Sequence, residues 1–156
     1  MQDLPLHACR GAAIATFGQS YEATTGRLAS ATFGTNSFAY SYLGNTGLVS
    51  GMTTANGAAV KSISFEANRD LPTEIKYQTA GENPVLIAKR NYSFDALGRL
   101  SSRSQTRGSD AARNDAFGYN DRSELTSATL GENSYAYAFD GIGNRLTAEE
   151  LAAETE

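Results

Sequence analysis

Four carboxylates recur directly after an aromatic residue: Glu22 after Tyr21, Glu66 after Phe65, Asp95 after Phe94 and Asp140 after Phe139. Carboxylates in pairs can act as general acid and base, and an Asp-rich loop can hold calcium. Their contexts point elsewhere. They open the segments "EATTG", "EANRD", "DALG" and "DGIG". An acidic residue at the first position of a tight turn accepts backbone N–H bonds, and a Gly three residues on adopts positive φ without a Cβ clash. Turn chemistry therefore accounts for all four without catalysis. "DGIGN" also lacks the alternating oxygen ligands and closing Glu of a calcium loop. His7 and Cys9 are the only histidine and cysteine. Their "HAC" segment offers too few ligands for zinc, an intrachain disulfide is impossible, and the usual nucleophile–base pairs are missing. The expectation is a chain that is not an enzyme, with no catalytic, cofactor-binding or metal residues and no cofactor.

The remaining charged and polar groups exclude other classes. Formal net charge is −4, which gives no overall attraction to phosphate, so no nucleic-acid partner is expected. Arg99, Arg103 and Arg107 are interspersed with Ser and read as a solvated strand face. "NYS" at Asn91 matches a glycosylation sequon and is read as incidental. No window approaches the roughly 18 apolar residues of a membrane-spanning helix. The start, "MQDLPLHACRGAAIATFG", lacks a basic segment followed by a long apolar core, so no signal peptide is expected in this chain.

The elements that position the turns follow from periodicity. The 156 residues include 15 Gly, 8 Tyr and 7 Phe but 3 Pro and no Trp, a composition suited to strands and tight turns. Rings alternate before four of the turns: Phe38, Tyr40, Tyr42; Tyr92, Phe94; Phe117, Tyr119; and Tyr135, Tyr137, Phe139. A period of two places them on one face of a strand. Ala136, Ala138, Ser93 and Gly118 fall on the other.

The pattern repeats. "SYEATTGRLASAT", "FAYSYLGNTGLVSG", "SISFEANRDLPTEI", "NYSFDALGRLSS", "AFGYNDRSELTSAT" and "YAYAFDGIGNRLTA" share an aromatic residue, a turn and a leucine, with the leucines at Leu28, Leu48, Leu71, Leu100, Leu125 and Leu146. The spacing predicts cross-strand pairs Tyr42–Leu48, Phe65–Leu71, Phe94–Leu100 and Tyr119–Leu125, six residues apart. Tyr21–Leu28 and Phe139–Leu146 are seven apart, and a bulge or shifted register is expected after Gly143. Gly98 is expected at positive φ. Ser123 and Arg69 occupy the corresponding place in their copies, so those turns are expected to adopt other types. Residues 44–57, 80–84 and 106–114 read as less regular loops.

These residues resemble the YD repeats of the Rhs family, whose pattern is Tyr-Asp-x-x-Gly-Arg-Leu or Tyr-Asp-x-x-Gly-Asn. The likeness is carried by "FDALGRL", "FDGIGNRL", "YEATTGRL" and, more degenerately, "YNDRSEL" and "FEANRDL". It divides the chain into an irregular N-terminal segment (1–16), a YD-repeat array of about six units (17–148) and an acidic C-terminal tail (149–156), expected to be either frayed or a helical turn or two. The resemblance implies an all-β fold: repeated antiparallel β-hairpins in one curved, shell-like sheet, open at both ends. In Rhs polymorphic toxins, insecticidal toxin complex C-subunits and teneurins such sheets form a hollow shell, which in the toxins encloses a C-terminal effector. The implied function is a non-catalytic wall segment of a shell, secreted or at the cell surface in the parent family. Its implied partners are further YD repeats or an effector domain of the same parent protein. The alternative is a carbohydrate-binding or cell-adhesion module using its aromatic rows. The chain has fewer repeats than a closed shell needs, lacks the Pro- and Asp-rich segment that normally follows them, and carries no effector. It is therefore expected to be a fragment or truncated member, with strand edges available for self-association.

Overall fold

The computed structural model describes residues 16–54 and 58–151. They form twelve strands: β1 (Phe17–Tyr21), β2 (Leu28–Phe33), β3 (Asn36–Tyr42), β4 (Val49–Thr54), β5 (Val60–Phe65), β6 (Pro72–Gln78), β7 (Leu86–Phe94), β8 (Leu100–Arg107), β9 (Arg113–Tyr119), β10 (Leu125–Leu130), β11 (Asn133–Phe139) and β12 (Arg145–Leu151). Each pairs with its neighbours in sequence, so the sheet order is β1 to β12 without a crossover. Every pairing is antiparallel. β1 and β12 are the edges. The expected all-β array of hairpins in one open sheet is what forms.

The alternation along the strands separates two faces. Cross-strand partners share a face, so the register groups Tyr40 with Met52, Ile63 with Ile75, Phe117 with Ala128 and Tyr135 with Ala128. The opposite face pairs Ser20 with Ser30, Ser93 with Ser102, Ser102 with Ala116 and Ser127 with Ala136. One face is thus rich in rings and aliphatic groups, and the other in small polar residues. No second layer covers either face among the described residues. Ala128, 4% exposed, is the one buried apolar side chain there. Apolar contact is made sideways, between neighbouring strands of one face.

Six hairpins, β1–β2 through β11–β12, carry the repeat. Each has a register shift beside its turn. The partners on either side of each shift leave Ala29, Ser50, Thr73, Ser101, Thr126 and Leu146 as the extra residues. A bulge at the same place in every unit sets the ring opposite the first residue of the returning strand. Tyr21–Leu28, Phe94–Leu100 and Tyr119–Leu125 pair as the spacing predicts. Three expected pairs are corrected. Tyr42 faces Val49, Phe65 faces Pro72, and Phe139 faces Arg145. Leu48 and Leu71 lie inside turns one residue longer than expected, and Leu146 is the bulged residue, 65% exposed.

Other boundaries also move. The segment 44–57, read as a loop, contains β4, and β8 and β9 leave only 108–112 between them. β12 runs through Leu151, three residues into the expected acidic tail, because Ser134, Tyr135 and Ala136 pair with Leu151, Glu150 and Glu149. Residues 1–15, including His7 and Cys9, lie outside the described residues.

Candidate functional site

The four repeated carboxylates do not converge. Each stands in its own turn, in the first, third, fourth and sixth hairpins, and each is engaged there. The turns are 22–27, 43–48, 66–71, 95–99, 120–124 and 140–144.

In the last three turns a short polar side chain folds back on its own backbone. Asp95 Oδ1 accepts from the N–H groups of Leu97 and Arg99, both at 2.9 Å. Asn120 Oδ1 accepts from Arg122 and Glu124 at 3.0 Å. Asp140 Oδ1 accepts from Ile142 and Asn144 at 2.9 Å. The fourth residue is left-handed in all three: Gly98 at φ 80°, Ser123 at 64° and Gly143 at 92°. The turn at Ser123 therefore keeps the geometry of its glycine counterparts, contrary to expectation. Arg69 does not, because turn 66–71 is longer and Ser123 is the one non-glycine residue at positive φ among those described.

These contacts perturb the carboxyls in one direction. The Arg99 guanidinium, aided by backbone N–H groups, holds Asp95 below the usual carboxylate range against the opposing effect of desolvation. The Asn144 side chain and backbone do the same for Asp140. Glu22 is lowered by the Thr25 hydroxyl and then by Arg27. Lowered carboxyls at turns suit hydrogen-bond acceptors, not a general acid that must hold a proton near neutrality.

An arginine leaves four of the six turns and reaches the next. Arg27 Nε lies 2.8 Å from Glu22 in its own turn, while Arg27 Nη1 donates to the Gly44 carbonyl at 3.1 Å. Arg69 is paired with Glu66 and donates to the Asp95 carbonyl at 2.8 Å. Arg99 Nε is 2.6 Å from Asp95 and Nη1 donates to the Asn120 carbonyl at 3.0 Å. Arg122 is 2.9 Å from Glu124 and donates to the Asp140 and Gly141 carbonyls at 2.6 Å. Each guanidinium joins an acid of its own hairpin to backbone of the following one. The planar fork of five N–H donors makes this double engagement possible, where a lysine ammonium would serve less well.

Two rungs carry a ring as well. Arg27 lies 4.5 Å from the centroid of Tyr42, and Arg99 lies 4.7 Å from that of Tyr119. The phenols reach back, Tyr42 to the Leu28 carbonyl at 2.8 Å and Tyr119 to the Leu100 carbonyl at 3.0 Å. Both rungs start from "GRL". Where the preceding unit lacks that sequence, the facing ring is Phe65, Phe94 or Phe139. The signal was present in the sequence as a pairing between one unit's Gly-Arg-Leu and the next unit's Tyr.

The expected solvated face of Arg99, Arg103 and Arg107 is therefore corrected. Arg99 is a rung of the ladder. Arg103 Nε donates to Asp115 Oδ2 at 2.8 Å, and Arg113 Nε lies 3.4 Å from Asp115 Oδ1. The Asp115 side chain is only 2% exposed and also accepts from the Gly131 N–H at 3.1 Å. Only Arg107, at the end of β8, is exposed as expected. No group of three or more metal-ligating side chains occurs among the described residues, and no described helix is long and apolar enough to cross a membrane.

No family model matches the sequence, and no curated protein matches it. Solved structures do resemble the fold. One is the Tc holotoxin pore of Photorhabdus luminescens carrying a mutated TccC3, at TM-score 0.52 and 13% identity over 86% of this chain. Another is the crystal structure of TcdB2–TccC3–Cdc42, at 0.52 and 14% over 90%. A third is TcdB2–TccC3–TEV, at 0.50 and 13% over 88%. In each case the chain spans 9% of the matched chain's length. Likeness at this identity establishes a common fold.

Proposed function

We propose that this chain is a non-catalytic wall segment of an Rhs-type shell, continued by further hairpins of the same kind. One observation carries the reading: among the described residues, a twelve-stranded sheet in a single layer, with no strand paired beyond β1 or β12 and one buried apolar side chain. A unit built this way gains its stability from neighbours along the array and not from a core of its own. The arginine ladder fits that role, since each rung fastens one hairpin to its successor. The fold shared with the Tc structures that contain TccC3 supports it further. On this reading the parent protein is secreted or at the cell surface, and the wall surrounds an effector carried by the same polypeptide. The test is to sequence the coding region flanking this frame and to image its full product by electron microscopy. Hairpins continuing the sheet across β1 and β12 are expected. A product in which both edges stay unpaired would refute the wall.

A second reading, carbohydrate or adhesive binding, draws on the uncovered ring face. Phe17 and Phe33 are strongly exposed there, as is Tyr21, and rings of this kind can stack on sugars. Glycan-array binding that is lost in Tyr21→Ala would favour this reading, and an array without hits would remove it.

A further inference from the structure

We propose that the ring-bearing face binds an acidic polypeptide segment through a cationic band crossing β5 to β9. The register places Lys61, Arg90, Arg103, Arg107 and Arg113 on this face: Lys61 faces Tyr77, which faces Ala88, which faces Arg107; Arg90 faces Gln105, which faces Arg113; and Arg103 faces Tyr92. The strands β5 to β9 bring one carboxylate to the same face, Asp115, and it is already shared between Arg103 and Arg113. The band thus carries surplus positive charge on a chain whose formal net charge is −4. Arg90, Arg107 and Arg113 are exposed. No salt bridge engages Arg90 or Arg107 among the described residues.

The surroundings select the class of anion. The band lies among rings and aliphatic side chains, with Lys61 Nζ 5.8 Å from the centroid of Tyr77 and Ile75 opposite Arg90. Such a surface favours a partner that mixes carboxylates with apolar groups. Exposed Glu82, Asp110 and Glu132 stand in the loops bordering the band, where they oppose a continuous polyphosphate passing over the margin. A short acidic segment lying within the face avoids them. Charge complementarity of this kind speeds association and is weakened by salt. The inference rests on the placement of charge, so it stands whether or not β1 and β12 are extended by further hairpins.

The test is fluorescence anisotropy of the full chain with a fluorescein-labelled oligoglutamate peptide, at low and at physiological salt. Binding that weakens with salt is expected. Arg90→Gln/Arg107→Gln should weaken it about tenfold, as expected for loss of paired interfacial charge. Lys76→Gln/Lys89→Gln removes the same charge from the opposite face, where these two lysines pair, and should change affinity less than about twofold. Both double variants must keep the wild-type circular dichroism spectrum. Equal losses in the two variants, or no binding by wild type, would overturn the proposal. Tighter binding of a single-stranded oligonucleotide of equal charge would replace the acidic polypeptide with nucleic acid.

Discussion

The first three hairpins and the last three solve the same turn differently. In β1–β2, β3–β4 and β5–β6 the ring and its partner are seven residues apart: Tyr21–Leu28, Tyr42–Val49 and Phe65–Pro72. In β7–β8, β9–β10 and β11–β12 they are six apart: Phe94–Leu100, Tyr119–Leu125 and Phe139–Arg145. The first residue of the turn decides. Asp95, Asn120 and Asp140 have side chains short enough to bind their own backbone two and four residues on, which closes a five-residue turn. Glu22, Leu43 and Glu66 cannot make that pair of contacts. In the first two turns a threonine hydroxyl substitutes, Thr25 accepting from the Arg27 N–H and Thr46 from the Leu48 N–H. The extra residue gives it room. The lesson is that turn length, and with it register, is governed by one side chain and not by the leucine spacing.

The largest expected effect tests the ladder in the shorter-turn half. Arg99→Ala removes hydrogen bonds to Asn120 and Ser123 and the cation–ring contact with Tyr119, at a cost of about 2–3 kcal/mol. Hydrogen exchange should accelerate in β9 and β10 and remain unchanged in β3 and β4. Equal acceleration in both regions would break the comparison. Gly98→Val forces a β-branched residue to φ 80° and should cost about 2 kcal/mol. The space itself is adequate, since the nearest side-chain atom to an added Cβ, Leu71 Cδ1, lies 3.7 Å away. Gly47→Val in the longer-turn half has no positive φ to maintain and should cost less than about 0.5 kcal/mol. Urea denaturation of the two variants checks this pair.

Ser123→Gly relieves the left-handed strain and should stabilise the fifth hairpin by about 1 kcal/mol, partly offset by the lost contact with Arg99. Slower exchange across 120–124 would be the sign. Leu43→Glu/Leu48→Arg supplies the second turn with the pair that the first turn has in Glu22 and Arg27, directed toward the third. The expected gain is about 0.5 kcal/mol, read as slower exchange in 66–71. The smallest effect concerns acid. Asp95 and Asp140 are held below the ordinary carboxylate range, so their stabilisation is complete above the unfolded-state value of about 4 and is lost as pH falls through the lower folded-state value. Asp95→Asn/Asp140→Asn should flatten that acid-induced loosening of the last three hairpins, since Asn120 already fills the same role uncharged. An unchanged acid profile would assign the loosening to other groups.

Strand type, the number of units, the two-faced alternation and the positive φ of Gly98 were legible from sequence, because they depend on local periodicity and turn chemistry. The partners of Tyr42, Phe65 and Phe139 were not, because the leucines recur regularly while the turn length does not. The ladder has no local signature either. Arg99 meets Asn120, and Arg103 meets Asp115, only once β8 and β9 are paired, and a carboxylate twelve residues away leaves no mark on a local charge pattern. Ser123 departs from expectation because its side-chain chemistry argues against positive φ, whereas the Asn120 contacts on either side of it impose that conformation.

The bulge repeated beside each turn has an evolutionary consequence. On a sheet this open, a slip of one residue would exchange the ring face for the serine-rich face, and a bulge fixed at the same place in every unit resists such sliding. Small insertions and deletions within strands are therefore poorly tolerated. Loss or duplication of an entire hairpin leaves every remaining strand in phase and every surviving turn with its own internal contacts. Lineages carrying such a chain should differ by whole units, and the array can change length by recombination while its two faces remain distinct.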